Sequence, residues 1–167
     1  MAATSTDATR TGFSLGTTVG VISDTHGVVR PEAIEALRGS ELIIHAGDVG
    51  DPDVLERLRA IAPTVAVRGN VDNGPWAQTL PVSEVVRVGD VLLYVLHRLD
   101  LDLDPKTAGF AAVIYGHSHQ PSSERRDGIL FLNPGSAGPR RFRLPVAIAK
   151  IRVVGTNLSP EFIHLHV

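Results

Sequence analysis

Ala111-Ala112-Val113-Ile114-Tyr115-Gly116-His117-Ser118-His119 is the stretch on which the reading of the fold turns. The apolar run has the length and continuity of a buried strand, and it is closed by two imidazoles two residues apart. If the backbone stays extended there, both side chains point to the same side. Gly116, with no Cβ, lets the chain bend and come close to a ligand. A metal site is the first reading to test. A lone His-x-His at a strand end is as often a surface or hydrogen-bonded pair, so the decision rests on whether other strands end in the same way.

They do. Upstream, Thr18–Ile22 is a short apolar run that ends in Ser23-Asp24-Thr25-His26-Gly27, again with two ligand types two apart. Pro31 to Arg38 then has proline in its first turn, an early acid and Gly39 as a stop, which predicts a helix. The unit repeats: Leu42–Ala46 leads into Gly47-Asp48-Val49-Gly50, and 53–60 predicts an amphipathic helix. His45 lies inside its apolar run and reads as a hydrogen-bonded core residue rather than a ligand. A third strand, Thr64–Val67, ends in Arg68-Gly69-Asn70-Val71-Asp72-Asn73. Three β-strands thus deliver polar residues to one edge of a sheet, where open α/β sheets place their ligands.

From Pro81 the texture changes to hairpins. Val82–Val88 and Val91–Leu96 flank Gly89-Asp90, the second strand ending at His97, and Ser122–Arg126 and Ile129–Leu132 flank Asp127-Gly128. Between them, Arg98 to Gly109 predicts an acidic loop or short helix. Asn133-Pro134-Gly135-Ser136, then the basic trio Arg140, Arg141 and Arg143, precede two last strands, Val146–Val154 and Leu158–Val167. There is no internal repeat and no linker.

Composition bounds the function. The 167 residues, 43% of them apolar, suit one domain with a sizeable core. A net charge of -2 disfavours a polyanion-binding module and hence nucleic acid, although a phosphate site can be locally positive. Without cysteine, disulfides and thiolate zinc sites are excluded, and any metal must be held by His, Asp, Glu and Asn. Residues 1–16 are rich in Ala, Thr and Ser, lack an apolar stretch of signal-peptide length and read as a disordered tail before one domain over 17–167. No run approaches the length of a membrane span, and a cytoplasmic protein is expected.

Asp24-x-His26, Gly47-Asp48, Gly69-Asn70-x-Asp72, His97 and Gly116-His117-x-His119, in that order and each closing a strand, resemble the calcineurin-like metallophosphoesterase superfamily. The small size, Asn133-Pro134-Gly135-Ser136 after the Gly-His-x-His motif, and Val71 between Asn70 and Asp72 resemble its compact bacterial and archaeal phosphodiesterase branch, typified by the YfcE proteins. The resemblance covers the chain from about Thr17 onward. It implies an α/β fold, α+β in some schemes: a four-layer α/β/β/α sandwich of two mixed β-sheets.

The resemblance also implies a dinuclear metal centre. Asp24, His26 and His119 match the ligands of the first metal, Asn70, His97 and His117 those of the second, and Asp48 the bridging carboxylate. Two divalent ions, manganese first with iron, nickel, cobalt or zinc as alternatives, suit these oxygen and imidazole donors. The implied reaction is hydrolysis of a phosphodiester, with a monoester as a further substrate, by a hydroxide activated between the metals; Asp48, Asn70 and His97 are the implied catalytic residues. Asp72 and His45 are expected to orient the ligands. A small phosphoester is the expected partner, substrate contacts are expected from Asn70, Arg98, Asn133, Ser136, Arg140 and Arg141, and a homo-oligomer is compatible with all of this.

The chain departs from the family pattern at two places. Relatives usually have Gly after the histidine matched by His97; Arg98 stands here and takes φ > 0 less readily, so His97 could be aimed differently. A guanidinium there also pairs well with phosphate oxygens. Many phosphatases of the superfamily have His at Val71, resembling a general acid; valine donates no proton, which favours diesters over monoesters with poor leaving groups. The main rival is a non-catalytic interaction scaffold, as in the retromer subunit of this fold, which predicts degraded metal positions. A metallo-β-lactamase-type site would need a His-x-His-x-Asp-His run, and the chain departs from it at Gln120-Pro121. His164 and His166 have no acidic partner motif and read as a solvent-facing pair.

Overall fold

The fold is described from a computed structural model, which covers residues 5–6 and 16–167. The tail expected over 1–16 lies outside these residues except for Ser5, Thr6 and Gly16.

Each apolar run becomes a strand. β1 (Ser5–Thr6) is followed by β2 (Thr17–Ile22), α1 (Pro31–Leu37), β3 (Leu42–His45), α2 (Pro52–Arg59) and β4 (Thr64–Ala66). A 3-10 turn over Pro75–Thr79 leads to β5 (Ser83–Val88) and β6 (Val91–Leu96), then α3 (Pro105–Ala108) and β7 (Ala112–Ile114). β8 (Ser122–Arg126), β9 (Ile129–Asn133), β10 (Ala147–Val154) and β11 (Asn157–His164) complete the chain. The helices begin where proline and an acid predict: α2 has Asp51 as its N-cap, the carboxylate accepting from the Asp53 amide at 2.8 Å.

Two mixed sheets result. One has the order β11-β10-β2-β3-β4, with β2, β3 and β4 parallel; the other has the order β5-β6-β7-β9-β8, with β6, β7 and β9 parallel and Ser5–Thr6 added beside β5. Their facing sides share one apolar core, built from Val19, Val21, Leu42, Ile44 and Ile151 of the first sheet and Val86, Leu93, Ile114 and Leu132 of the second. On the outer side of the first sheet, Leu37 of α1 and Val54, Leu55 and Leu58 of α2 pack on Ile43 and Ile148. The outer side of the second sheet is covered more thinly, by the single turn of α3 and its loop, with Phe110 stacked on Tyr94 at 4.9 Å. The four layers are those implied by the resemblance, and α3 is the short helix allowed for between Arg98 and Gly109.

This topology positions the site. All six parallel strands send their C-terminal ends to one rim, so the segments after β2, β3, β4, β6, β7 and β9 converge there. Backbone bonds tie these segments together: Asp24 N–H donates to Gly47 O at 3.0 Å, Gly116 N–H to His97 O at 2.9 Å and Ala137 N–H to Ser23 O at 3.0 Å. No helix among the described residues is long and apolar enough to cross a membrane.

Because the apolar layers rather than any ion hold this frame, chelation with EDTA is expected to leave the far-UV circular dichroism unchanged. Leu93→Ala, which empties a fully buried position between the sheets, should cost about 2–5 kcal/mol in denaturant unfolding.

Candidate metal centre

Extended backbone was expected to hold Asp24 with His26, and His117 with His119, on one side. The structure brings each pair to one site by a different route. β2 stops at Ile22 and β7 at Ile114, and Asp24, His26, Asp48, His117 and His119 all have left-handed φ, between 48° and 73°. Asp visits this region because its short side chain finds local hydrogen bonds; an imidazole held there is costlier and needs surrounding contacts. Those contacts are present. His26 N–H donates to Asp48 O at 3.0 Å, Gly27 N–H to Val49 O at 2.8 Å and His117 N–H to Asp24 Oδ2 at 3.1 Å.

Asp24 is the centre of the arrangement. Its residue is fully buried, Oδ2 accepts from Ser23 Oγ at 2.7 Å and from the His117 amide, and Oδ1 has no hydrogen-bond partner. Oδ1 lies 3.3 Å from His119 Nε2, 3.8 Å from His97 Nε2 and 3.9 Å from His26 Nε2. Asp48 Oδ2 lies 3.3 Å from His97 Nε2 and 3.6 Å from His26 Nε2, while its Oδ1 accepts from the Val71 amide at 3.0 Å. Two overlapping groups of ligand atoms follow, Asp24-His26-His119 and Asp24-Asp48-His97, each with its members within 4.8 Å of one another. Asn70 and His117 stand at the exposed mouth, Asn70 Oδ1 3.2 Å from His117 Nδ1, with the His117 ring 5.3 Å from that of His97.

The donor set suits divalent cations. His26 Nε2 and His97 Nε2 are buried without a hydrogen-bond partner, as is Asp24 Oδ1, so three orphaned donor atoms are aimed into one small volume. Buried polar atoms are nearly always paired, and a cation between them is the pairing this chemistry favours. Electrostatics agree. Burial holds the Asp24 pKa above the usual carboxylate range, and His97 is raised because Asp48 and Asp24 outweigh its own burial. Asp48 is lowered, its burial overcome by His97 and the Val71 amide, and burial lowers His119.

Glycine makes the crowding possible. A Cβ on Gly116 would lie 2.7 Å from Asp24 Oδ2 and would also overlap Ser23 Oγ. One on Gly69 would strike the backbone and carboxylate of Asp48.

The residues around the candidate ligands explain their aim. Asp72, expected to orient ligands, accepts from the amides of Gly69 (2.8 Å), Gly50 (2.9 Å) and Val49 (3.1 Å), which clamps the Asp48 segment to the Asn70 segment. His45 is fully buried; its Nδ1 accepts from Gly47 N–H at 3.1 Å and its Nε2 meets Thr25 Oγ1 at 2.9 Å, while that hydroxyl donates to Val49 O. Nε2 is therefore the protonated nitrogen, and burial drives the pKa from 6.5 down to about 3. His97 is aimed by its Nδ1, 2.7 Å from Ala46 O. Arg98 does not need the left-handed backbone, so its replacement of glycine leaves His97 in place.

Two of the residues expected to contact substrate are engaged within the chain. Asn133 and Ser136 are buried, and their polar atoms are occupied by the chain. Asn133 Nδ2 donates to Gly116 O at 2.9 Å and Ser118 Oγ at 3.1 Å, its Oδ1 accepts from Gly135 N–H, and Ser136 Oγ donates to Asp24 O at 2.9 Å. They fix the segments after β2, β7 and β9 to one another. Arg98, Arg140 and Arg141 are exposed, Arg98 lines the cleft beside His97, and the Arg141 charge reaches His119. Ser23, Thr25 and Arg68 were not singled out in the sequence; a hydroxyl on each side of Asp24 was the available signal.

A family model described as the calcineurin-like phosphoesterase superfamily domain matches residues 18–154. The chain belongs to the calcineurin-like phosphoesterase superfamily, a family of metal-dependent phosphoric ester hydrolases. A protein of Methanocaldococcus jannaschii named "Probable metallophosphoesterase" is 39% identical over 142 residues, 75% of this chain and 72% of that protein. Among solved structures, one titled as a novel archaeal phosphodiesterase superposes with a TM-score of 0.75 at 24% identity, over 89% of this chain and 99% of the other. Vps29 of Chaetomium thermophilum superposes with a TM-score of 0.73 at 20% identity, over 89% of this chain and 98% of its own, a likeness of fold.

The state of His45 makes a prediction about pH. The unfolded chain protonates this residue near pH 6.5 while the folded chain resists to about pH 3, so protons favour the unfolded state and stability falls on acidification across that window. In metal-free protein the loss from this group is about 1.4 kcal/mol per pH unit below 6.5. His45→Asn should flatten the fall in unfolding free energy between pH 6.5 and 5, measured by urea titration, even though it lowers stability at neutral pH.

Proposed function

We propose that the chain hydrolyses phosphodiesters at a dinuclear metal centre, in a single catalytic domain over residues 17–167. The observation that carries this is the convergence of the orphaned Asp24 Oδ1, His26 Nε2 and His97 Nε2 on one point beside Asp48. Asp24, His26 and His119 would hold one divalent ion, Asn70, His97 and His117 a second, with Asp48 between them; manganese is the first choice. When bound, such a pair supplies Lewis acidity towards the phosphoryl oxygens and a water acidic enough to attack at neutral pH.

The chain's own groups do the rest. Asp48 keeps its negative charge at neutral pH because His97 and the Val71 amide stabilise it, so it can sit between two cations. His97 is held by the Ala46 carbonyl, which fixes Nε2 as the atom facing the site. Asn70 and His117, at the open mouth, are placed to meet a phosphoryl oxygen that enters from solvent. Arg98, Arg140 and Arg141 contribute positive charge at the rim, which favours an anionic ester on an otherwise slightly acidic protein. Val71 leaves the departing oxygen without a side-chain proton donor at that position, which supports a diester with a stable leaving group; the name of the archaeal structural neighbour supports the same choice. A scaffold without chemistry is disfavoured because all seven expected ligand positions hold competent ligand types. A cytoplasmic location belongs to the same proposal.

Asp48→Asn and His119→Ala are each expected to abolish turnover of a nitrophenyl phosphodiester while the circular dichroism stays as in the wild type. Either variant keeping most of its activity with its metal content unchanged would show that the site is elsewhere.

Leaving-group dependence tests Val71. The rate should fall steeply from nitrophenyl to alkyl esters, and Val71→His should raise alkyl-ester hydrolysis, by up to the roughly 10²–10⁴-fold that a placed acid contributes, with little change on nitrophenyl esters at equal metal loading. Similar chemical-step rates on both ester types in the wild type would show that another group supplies the proton.

A further inference from the structure

A cleft of about 540 Å³ opens beside the Asn70 and His97 side of the site, and Arg68 and Arg98 line it together with Val82, Tyr94 and Leu96. We infer that this cleft is the subsite for one of the two alcohol groups of the diester, and that it selects an alcohol carrying a second oxyanion. The inference rests on the phosphodiesterase reading for its placement.

The positions of the two arginines carry the argument. Arg68 closes the β4 segment two residues before Asn70, and Arg98 follows His97 directly, so each is anchored by a residue of the site. The Arg68 amide is held by Pro81 O at 2.8 Å, which fixes the segment that bears it. Neither guanidinium has a carboxylate partner among the described residues, whereas Arg38, Arg59 and Arg126 are paired with Glu35, Glu56 and Glu124. Two unpaired guanidiniums beside a phosphate-binding centre offer forked donors to an oxyanion a few bonds from the scissile phosphorus.

The acidic lining of the cleft limits what that oxyanion can be. Asp100 and Asp102 line it as well, further along the chain from His97. Each further negative charge on the ligand adds repulsion from these carboxylates, so the cleft suits one oxyanion paired with Arg68 and Arg98 better than a polyanion. Tyr94, Val82 and Leu96 supply an apolar wall for the carbon atoms between the two anionic groups. A phosphate monoester, with up to two negative charges facing two guanidiniums, is favoured over a carboxylate.

The test uses the metal-loaded protein and two sets of probes. Binding is measured by calorimetry with the ethyl, 2-carboxyethyl and 2-phosphoethyl esters of methylphosphonic acid, and turnover with the same three alcohols as mixed p-nitrophenyl phosphodiesters. The 2-phosphoethyl compound should bind at least tenfold more tightly than the ethyl compound, with the 2-carboxyethyl compound between them. Arg68→Gln and Arg98→Gln should each reduce that preference about tenfold, and Arg98→Lys should restore part of it. Equal binding of the three probes, or a preference that survives both Gln variants, would overturn the subsite. An arginine-dependent binding preference without turnover of any ester would leave the subsite standing and overturn the phosphodiesterase reading.

Discussion

The buried carboxylate of Asp24 is the constraint on which the rest of the rim depends. An aspartate with no exposed surface, one oxygen satisfied and the other without a hydrogen bond, is an expensive thing to place in a protein, and burial raises its pKa accordingly. The fold reaches this state because both sheets contribute to it. Ser23 presents its hydroxyl from the end of β2, the His117 amide arrives from β7, and Ser136 of the loop after β9 grips the Asp24 carbonyl. Around the unpaired Oδ1 stand three imidazoles within 3.9 Å, all from different loops. A cluster so built is poor as a device for stability and well suited to holding cations.

The second consequence concerns backbone conformation. Five residues of the candidate site take left-handed φ, and four of them, Asp24, His26, Asp48 and His117, make hydrogen bonds that cross between loops. Strain of this kind persists only where the surroundings over-determine it. Here the surroundings are two parallel strand sets ending at one rim, with Asp72 joining three amides and His45 tied to Thr25 and Gly47. The apolar core supplies the rigidity, and the loops spend it on aiming side chains.

Much of this was legible in the chain. Polar residues closing successive apolar runs, Asp24, Asp48, Asn70, His97 and His117, mark the rim because side-chain periodicity and strand length are local properties. His45 read correctly as a core residue, since an imidazole inside a run of Leu42, Ile43 and Ile44 has no route to solvent. What was not legible depends on partners distant in sequence. The pairs Asp24 with His26 and His117 with His119 were expected on extended backbone and stand on left-handed turns instead, where the amides of Asp24, His26 and His117 donate to acceptors in other segments. Asn133 and Ser136 looked like substrate contacts in a polar loop, yet the chain takes up their hydrogen bonds, with Gly116 in one case and Asp24 in the other. Arg68 carried no motif; only the cleft it shares with Arg98 gives it a role.

The central claim, that this rim is a two-cation site centred on Asp24 and Asp48, is tested most directly by anomalous diffraction from crystals of the protein loaded with manganese. The account predicts two peaks per chain, both among Asp24, His26, Asp48, Asn70, His97, His117 and His119. A single peak, or peaks remote from these residues, would contradict it.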